Sequence, residues 1–314
     1  MKVVALAGGI GGGKFLRGLV RAVPASDVTV IVNTGDDVWM HGLRVCPDLD
    51  SVTYWLGDAF DRERGWGRRD ESFRATEELR LLDPAIAWFG LGDLDLATHL
   101  FRTHLLGEGA TLSEVSTRVA ARFGIGARLL PMSDDPVATR IDAVAGGREL
   151  DLHFQEYWVQ RHGRDDVKGI RLDGVERARP APGVLEAIAA ADAVVFAPSN
   201  PVVSIGPILA IDGIRDAVAG RRPIAAGVSG ILGGAPLAGM ADRLMPAAGI
   251  EVSAGGVAIA YRDVLSGWVI DERDADQADR IRTLDMTVRV MDTVMFDDDD
   301  AERVASATVE LALG

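Results

Sequence analysis

The sequence is poor in cysteine, in basic residues and in long apolar runs. Its single cysteine, Cys46, excludes an intramolecular disulfide and is interpreted as a small buried residue rather than a catalytic thiol. The 33 basic residues are outnumbered by 47 acidic ones, and the net charge of −14 disfavours binding to nucleic acid or to an anionic membrane surface. No uncharged apolar run reaches the roughly 18 residues of a membrane span, and the N-terminus lacks the pattern of a signal peptide. We therefore expect a soluble, cytoplasmic protein.

The first 35 residues have the pattern of a βαβ unit. A short apolar run, 3–7, ends in glycines, a helical spacing of apolar residues follows over 15–23, and a second β-branched run covers 28–32. Such a unit implies a parallel sheet that is covered by helices on both faces. With 314 residues, 48% of them hydrophobic, the chain is long enough for a large core. We predict an α/β fold built as a single domain, 1–314.

The strand pattern resumes after about residue 180, with a helix at 182–191 and buried strands at 193–197 and 223–228. Helical stretches occupy the middle of the chain, and we expect them to form a helical insertion, at about 70–130, that covers the sheet edge. Their predicted ranges are 71–82, 96–106 and 112–123. The string HFQEYWV, 153–159, favours a strand. An aspartate run, 297–300, precedes a C-terminal helix, which its last member can cap.

The segment 8–15, GGIGGGKF, lies between the first predicted strand and helix. Its glycines and Lys14 fit a phosphate-binding loop, G-x-x-x-x-G-K, but Phe15 replaces the Ser or Thr that holds Mg²⁺. A dinucleotide fingerprint also fails, because Lys14 stands where its third glycine belongs. Glycines before a helix N-terminus favour binding of a phosphate or nucleotide. The alternative is a tight turn that packs the helix closely against the strand, with Phe15 beginning the apolar helix face.

Acidic residues follow the second strand. Asp36 and Asp37 lie just past its carboxyl end, where open α/β sheets bind ligands, and Asp48 and Asp50 follow within a short distance. Clustered carboxylates repel one another unless a cation or proton intervenes. Mg²⁺ binds one or two carboxylates together with substrate phosphates. The cluster therefore favours a Mg²⁺ site, and the alternative is a turn in which the carboxylates cap backbone N–H groups.

Two further polar segments allow a structural or a functional interpretation. In GLGDLDLATHLFRT, 90–103, Asp93 and Asp95 precede a helix, and His99 and Arg102 share one helical face. We favour a structural role for His99. The turn Ser133–Asp135 is closed by proline, and whether it joins the site is left open.

The string APSNPVVSIGPIL, 197–209, follows a buried strand. Short side chains and glycine at the carboxyl end of a strand favour a loop that binds a phosphate or a base. A polar turn without a ligand is the alternative.

Together and in this order, the motifs resemble the 2-phospho-L-lactate transferase family (CofD/FbiA) of coenzyme F420 biosynthesis. The resemblance runs from residue 6 to residue 246 through the following strings: LAGGIGGGKFLRGL, VNTGDDVWMHGLRVCPDLD, RGWG, GLGDLDLATH, LLPMSDDPV, HFQEYWV, APSNPVVSIGPIL and GMADRLMP. It implies a Rossmann-like fold with a helical insertion, and a homodimer. It leaves open which three-carbon donor, lactyl, enolpyruvyl or glyceryl, the protein uses.

The resemblance also implies a reaction. Members of the family join a deazaflavin, Fo, to a three-carbon phosphate supplied by a lactyl-, enolpyruvyl- or glyceryl-diphosphoguanosine. The terminal ribitol hydroxyl of Fo attacks the distal phosphorus, GMP leaves, and Mg²⁺ is required. An alternative is a regulatory protein of the same superfamily that binds nucleotide sugars and has no transferase activity. Two classes thus remain, an enzyme and a binding protein, and Fo binding distinguishes them.

The resemblance further assigns roles to particular residues. Asp36 and Asp50 are expected to be catalytic and to contact Mg²⁺, and either can orient or deprotonate the ribitol hydroxyl. Fo is expected to contact Asp37, His41, Asp50 and Phe89. The guanine nucleotide and its phosphates are expected to contact Gly9, Gly11, Gly12, Gly13, Lys14, Ser199, Asn200, Ser204 and Gly206.

Overall fold

The computed structural model describes all 314 residues. The strands are β1 Val3–Ala7, β2 Val28–Val32, β3 Val38–Met40, β4 Leu43–Val45, β5 Arg128–Pro131, β6 Ala138–Ala145, β7 Arg148–His153, β8 Asp166–Asp173, β9 Ala193–Phe196, β10 Ala225–Val228, β11 Ile231–Leu232, β12 Ala235–Pro236, β13 Gly267–Ile270 and β14 Thr287–Val290. The α-helices are α1 Gly9–Ala22, α2 Pro47–Leu56, α3 Arg74–Leu82, α4 Asp93–Gly107, α5 Leu112–Arg122, α6 Val184–Ala189, α7 Ile205–Ala210, α8 Ile214–Ala219, α9 Ala241–Leu244, α10 Ala254–Ala260, α11 Ala278–Arg282 and α12 Asp298–Leu313.

Seven strands form one parallel sheet in the order β14-β13-β10-β9-β1-β2-β5. The chain starts at β1, builds outward to β5 on one side, and then returns to β9 and builds outward on the other side. The strand order therefore reverses between β1 and β9, which is the Rossmann arrangement. The predicted α/β, Rossmann-like fold with helices on both faces of the sheet is confirmed. The crevice at the carboxyl ends of β1 and β9 is where such sheets bind their ligands.

Both faces of the sheet are buried. One apolar cluster packs under α1, α2, α5 and α12, and the other under α6, α7, α8, α10 and α11. Phe15 is fully buried in the first cluster, so it begins the apolar face of α1 as the sequence predicts. Strands buried on both faces read as continuous apolar runs, which is why β1 and β9 were recognisable from sequence.

The helices α3, α4 and α5 lie between β4 and β5 along the chain, in the region of the predicted insertion. Helix α5 begins with a capping box in which the Thr111 hydroxyl accepts from the Glu114 N–H at 3.3 Å and the Glu114 carboxylate accepts from the Thr111 N–H at 2.8 Å. Helix α4 packs on α5 and α3 and runs beside the β3–β4 hairpin. The assignment of the whole chain to one domain stays a prediction.

A second, antiparallel sheet in the order β7-β6-β8 follows β5. The strand predicted over 153–159 is wrong, because β7 ends at His153 and a π-helical turn covers Glu156–Gln160. Phe154, Gln155 and Tyr157 are all buried, and this burial does not alternate as a half-buried strand would require. π-helical turns are rare and are often found at functional sites.

The C-terminal helix is capped by the first aspartate of its acidic run and not by the last. The Asp297 carboxylate accepts from the N–H groups of Asp299 and Asp300 at 3.0 and 2.9 Å. The side chain of the residue just before a helix accepts from the N–H groups of the second and third helical residues. Asp297 is that residue in α12, whereas Asp300 lies inside the helix. None of the helices has the length and apolar character needed to cross a bilayer.

Candidate active site

Two loops meet at the point where the strand order reverses. One follows β1 and includes Gly8, and the other follows β9 and begins near Ser199. The Ser199 hydroxyl donates to the Gly8 carbonyl at 2.8 Å and accepts from the Gly8 N–H at 3.1 Å. The second loop is shaped by Asn200, whose side-chain oxygen accepts from the N–H groups of Val202 and Val203 at 2.9 and 3.3 Å. These bonds make one continuous polar rim at the crevice.

The loop predicted over 8–15 is wrong, because α1 already begins at Gly9 and only Gly8 separates it from β1. The glycines in the first turns of α1 permit close packing. A methyl group on Gly12 would lie 2.6 Å from the Ser199 hydroxyl, and one on Gly13 would overlap the ring of Trp55. Gly9 has a φ of +67°, which other residues rarely adopt, and Gly11 is exposed at the N-terminal end of α1. Gly206, in the first turn of α7, packs against the backbone of Pro201. Gly12 and Gly13 therefore have packing roles, whereas Gly9 and Gly11 border the open end of the crevice.

Lys14 lies among charges that belong to other elements. Partial burial, and secondly the neighbouring Arg62, lower the pKa of Lys14, while Asp300 and Asp297 oppose this effect. Arg62 itself donates to Asp298 at 2.8 Å. Lys14 thus sits beside the N-terminus of α12, and its contact with a phosphate stays a prediction.

An acidic pair lies at the crevice, between the two loops. Asn33, directly after β2, donates through its amide to Asp48 at 2.8 Å, to Asp36 at 3.3 Å and to the Val203 carbonyl at 3.0 Å. The other oxygen of Asp36 accepts from the Gln155 amide at 3.0 Å. Two neutral amides therefore hold the Asp36 and Asp48 carboxylates together in a buried site.

No basic side chain forms an ion pair with Asp36 or Asp48, whose bonding partners are amides. Burial, and then the charges of Asp48 and Asp37, raise the pKa of Asp36 well above its usual value. Burial raises the pKa of Asp48 to about 7, against the opposing hydrogen bond from Asn33. Two buried carboxylates that disfavour each other's ionisation are stabilised by a divalent cation. The residues present therefore fit Mg²⁺.

Asp37 belongs to a separate ion pair. Its Oδ2 accepts from Arg44 at 3.1 Å, and its other oxygen is buried without a partner. Burial raises the pKa of Asp37 to about 6, although Arg44 opposes this shift. Cys46, the residue before α2, is fully buried near Asp37, and burial raises the pKa of its thiol. The prediction that Cys46 is a buried residue is confirmed.

Asp48 and Asp50 point in different directions from the start of α2, although the charge of Asp50 still reaches Asp37. Residues two apart on a helix do not share a face, so Asp48 points to Asn33 and Asp50 points to α4. There the Asp50 carboxylate forms a two-pronged ion pair with Arg102. Burial alone would lower the pKa of Arg102, but Asp50 outweighs it and the pKa is raised. The structure therefore brings Asp36 to Asp48, while Asp50 faces Arg102.

Asp50, Asp95 and His99 form a second group of possible metal ligands, whose ligand atoms all lie within 4.8 Å of one another. Such a set can in principle hold a metal ion. Arg102 already places a positive charge against Asp50 in this space, so the fit to a cation is poorer here than at Asp36 and Asp48.

The predicted Fo contacts His41 and Phe89 meet at one pocket. His41 and Gly42 form the turn between β3 and β4 with φ values of 52° and 77°, the sign that a two-residue hairpin turn requires. The pocket is mostly apolar and open on one side, and its cavity volume is about 40 Å³. Its lining residues are His41, Ala75, Thr76, Leu79, Ala87, Phe89, Leu91 and Leu96.

The turn Ser133–Asp135 makes local structural bonds. The Ser133 hydroxyl donates to the Arg179 carbonyl at 2.6 Å, and Asp135 accepts from the Arg179 N–H at 2.9 Å. Asp134 accepts from the hydroxyl and the N–H of Ser113, each at 2.7 Å. These bonds explain the turn without a ligand.

Sequence reasoning missed Asn33, Gln155 and the pairing of Asp48. Asn33 belongs to NTGDD and Gln155 to HFQEYWV, so both strings were recognised, but neither residue was given a role. Gln155 is separated from Asp36 by 119 positions, and no local pattern predicts a contact over that distance. The i, i+2 spacing of Asp48 and Asp50 was the one available signal that the two carboxylates diverge.

The fold and the site define a Rossmann-like α/β enzyme with a buried acidic pair beside the glycine-rich start of α1. A family profile described as 2-phospho-L-lactate transferase CofD matches residues 3–312, and the chain belongs to this family. It is a transferase of the type involved in coenzyme F420 biosynthesis. The resemblance identified in the sequence is thereby confirmed, and the alternative of a non-catalytic regulatory protein loses its support.

Several proteins are similar along their whole length. A "Phosphoenolpyruvate transferase" of Streptomyces griseus is 49% identical over 99% of this chain and 98% of its own. One of Thermobifida fusca is 47% identical over 100% and 98%, and a "2-phospho-L-lactate transferase" of Methanosarcina barkeri is 40% identical over 98% of both. The crystal structure of a Bacillus halodurans protein of the UPF0052 family covers 98% of both chains with a TM-score of 0.64 at 16% identity. That likeness shows the fold.

Proposed function

We propose that the protein transfers the phosphoenolpyruvate moiety of enolpyruvyl-diphosphoguanosine to Fo, giving dehydro-F420-0 and GMP. The observation that carries the proposal is the buried Asp36–Asp48 pair beside the Gly8 loop, at the ligand-binding edge of the sheet. A cation bound by this pair would lie next to the phosphates of a nucleotide in the crevice. Phosphoryl transfer depends mainly on positioning and charge neutralisation, which such a site supplies.

The choice of donor rests on the relatives. Proteins named phosphoenolpyruvate transferase are 49% and 47% identical to this chain, whereas the protein named for 2-phospho-L-lactate is 40% identical. These values favour the enolpyruvyl donor over the lactyl and glyceryl donors that the sequence left open. The three donors differ by only a few atoms, so direct comparison is needed.

Mg²⁺ would be held by Asp36 and Asp48, with Asn33 and Gln155 fixing the two carboxylates. It would neutralise phosphate charge during the transfer. Asp50, which the resemblance also assigned to the metal, is neutralised by Arg102 and is proposed to contact Fo instead. Gly9, Gly11 and the Ser199–Ser204 loop border the crevice in which the guanosine phosphates would bind.

The deazaflavin ring is proposed to lie against the mouth of the apolar pocket between His41 and Phe89, because the pocket itself is too small to enclose it. Its ribitol chain would then extend toward Asp50, which accepts a hydrogen bond from the terminal hydroxyl. Because Arg102 holds both oxygens of the Asp50 carboxylate, we propose that Asp50 orients the hydroxyl. The hydroxyl oxygen forms a bond to the distal phosphorus, the bond from that phosphorus to the GMP oxygen breaks, and the ribitol proton passes to solvent.

The proposal is tested by incubating the protein with Fo and MgCl₂ and with each of the three donors in turn. Mass spectrometry of the Fo product identifies the transferred group, and GMP release measures turnover. We expect dehydro-F420-0 to form fastest. A higher kcat/KM with the lactyl or glyceryl donor would overturn the donor assignment, and absence of product with all three would overturn the transferase proposal. The homodimer implied by the resemblance stays a prediction that light scattering can test.

A further inference from the structure

Helices α2 and α4 are joined by a buried network of polar side chains. Asp50 and Tyr54, four apart on α2, face Asp95, His99 and Arg102, which follow one another on one face of α4 at intervals of four and three residues. All five side chains are buried. The Tyr54 hydroxyl donates to Asp95 at one end of the network, and Arg102 donates to Asp50 at the other.

Arg102 is held rigidly within this network. Its Nη1 lies 3.1 Å from Oδ2 of Asp50, and its Nη2 donates to Oδ1. Nη1 also lies 3.2 Å from the Arg44 carbonyl and 3.1 Å from Nδ1 of His99. His99 in turn places Nε2 3.5 Å from Asp95. A planar guanidinium bound through both nitrogens fixes the rotation of the carboxylate that it contacts, which an ammonium cannot do.

A contribution to stability alone does not explain the network. Burying charged groups costs desolvation free energy, and apolar side chains of similar volume often stabilise a helix pair as well or better. Its position suggests a second role. Leu96, adjacent to Asp95 on α4, lines the same pocket as Phe89, so α4 reaches both the pocket and the Asp50 carboxylate.

We propose that Arg102 is a positioning residue, which orients the Asp50 carboxylate toward the acceptor alcohol, and that His99 and Asp95 hold Arg102 in place. This inference rests on the proposed function, because it assigns Asp50 to the acceptor. The helical insertion then contributes to the reaction by fixing the geometry of a residue on α2. A displaced carboxylate would leave the alcohol bound but poorly aligned with the phosphorus.

The test compares Arg102→Gln and Arg102→Lys with the wild type in the Fo transferase assay. We expect kcat to fall about 100-fold for Gln and about 10-fold for Lys, with the KM of each substrate changed by less than about threefold, because misalignment affects the reacting geometry more than binding. Fo binding, followed by Fo fluorescence, should persist in both variants. Arg215→Gln is the matched control, since it removes a two-pronged pair with Asp263 on the surface, and it should keep the wild-type kcat.

A double-mutant cycle separates positioning from a loss of helix packing. If Arg102 acts through Asp50, then Arg102→Gln should have little further effect on kcat in an Asp50→Asn background. Tyr54→Phe breaks the network at its far end, leaves the Asp50–Arg102 pair intact and should cost less than about fivefold in kcat. Additive losses in the cycle, or equal losses for Tyr54→Phe and Arg102→Gln, would overturn the proposal.

Failure of the inference is distinguishable from failure of the proposed function. Wild-type kcat in a folded Asp50→Asn variant would remove Asp50 from the reaction, and the inference with it. An inactive Asp50→Asn variant beside folded, fully active Arg102 variants would overturn the positioning role and leave the transferase assignment standing. Thermal melts identify variants that do not fold, and the Lys variant, which keeps the charge, then decides the outcome.

Discussion

Oδ2 of Asp48 occupies the space that a side chain at Gly8 would fill. An ideal methyl group built on Gly8 overlaps this oxygen and lies 2.9 Å from the Ser204 Cβ. The backbone of Gly8 is extended, with φ −159° and ψ 156°, so alanine could adopt it without strain. The acidic pair beside position 8, and not the backbone conformation there, therefore requires glycine.

Replacing Gly8 by alanine should displace Asp48 and weaken Mg²⁺ binding. We expect the half-saturating Mg²⁺ concentration in the transferase assay to rise by about 10-fold or more, because one of two carboxylate ligands moves. Circular dichroism should show a folded protein. A variant with wild-type Mg²⁺ dependence would show that Asp48 has no part in the metal site.

Asp36→Asn and Asp48→Asn should each lower kcat by at least about 100-fold, since each removes a charge that neutralises the cation. Asp134→Asn is the control, because Asp134 accepts hydrogen bonds from Ser113 in a turn without a ligand. Steady-state GMP release measures all three. Near-wild-type turnover by either site variant would remove that residue from the catalytic site.

Without Mg²⁺, the protein should lose stability as the pH rises. The pKa of Asp48 is about 7 in the folded protein, above the usual value of 3.8, so the folded state binds more protons than the unfolded state between these limits. The stabilisation is fully present below about pH 4 and is lost as the pH rises through 7, with a total on the order of 4 kcal/mol.

Melting temperatures at pH 5 and pH 8 with EDTA measure this effect. Mg²⁺ should restore stability mainly at pH 8, where it does not compete with a proton on Asp48. The Asp48→Asn variant should show a smaller difference between the two pH values. A wild-type melting temperature that rises from pH 5 to pH 8 in EDTA would contradict the prediction.

Gly18→Ala should destabilise the fold by about 2–4 kcal/mol. A methyl group at Gly18 overlaps the carbonyl of Ala301, so α1 and α12 would have to separate. Gly107 ends α4 with no atom within 4 Å of its added methyl, and Gly107→Ala should change stability by less than about 1 kcal/mol. Urea denaturation compares the two, and equal effects would mean that the α1–α12 contact tolerates expansion.

Much of the architecture was predictable because it is encoded locally. The buried strands β1 and β9 are continuous apolar runs, β2 is a β-branched run, and Phe15 lies on the apolar face of α1, which begins six residues earlier at Gly9. The family strings located the ligand-binding loops. The antiparallel sheet was not predicted, and HFQEYWV was misread as a strand, because its aromatic and β-branched residues suit a strand until the packing of Tyr157 is known.

The pairing of side chains in the site was harder to predict. The sequence placed Asp36 and Asp50 together, whereas the structure pairs Asp36 with Asp48 and gives Asp50 to Arg102. The contact between Asp36 and Gln155 requires the second sheet to fold against the first. Such contacts depend on tertiary packing and leave no periodic signal in the chain.

The single thiol of the chain offers a direct view of this site in solution. Cys46 is fully buried at the start of α2, two residues before Asp48 and beside Asp37. An alkylating reagent can reach it only when the start of α2 separates from its surroundings, so the rate of alkylation reports the free energy of that opening. Cys46 is thus a natural alkylation site next to the acidic pair. Its alkylation rate can show whether Mg²⁺ or a nucleotide reduces this opening, and no engineered cysteine is needed.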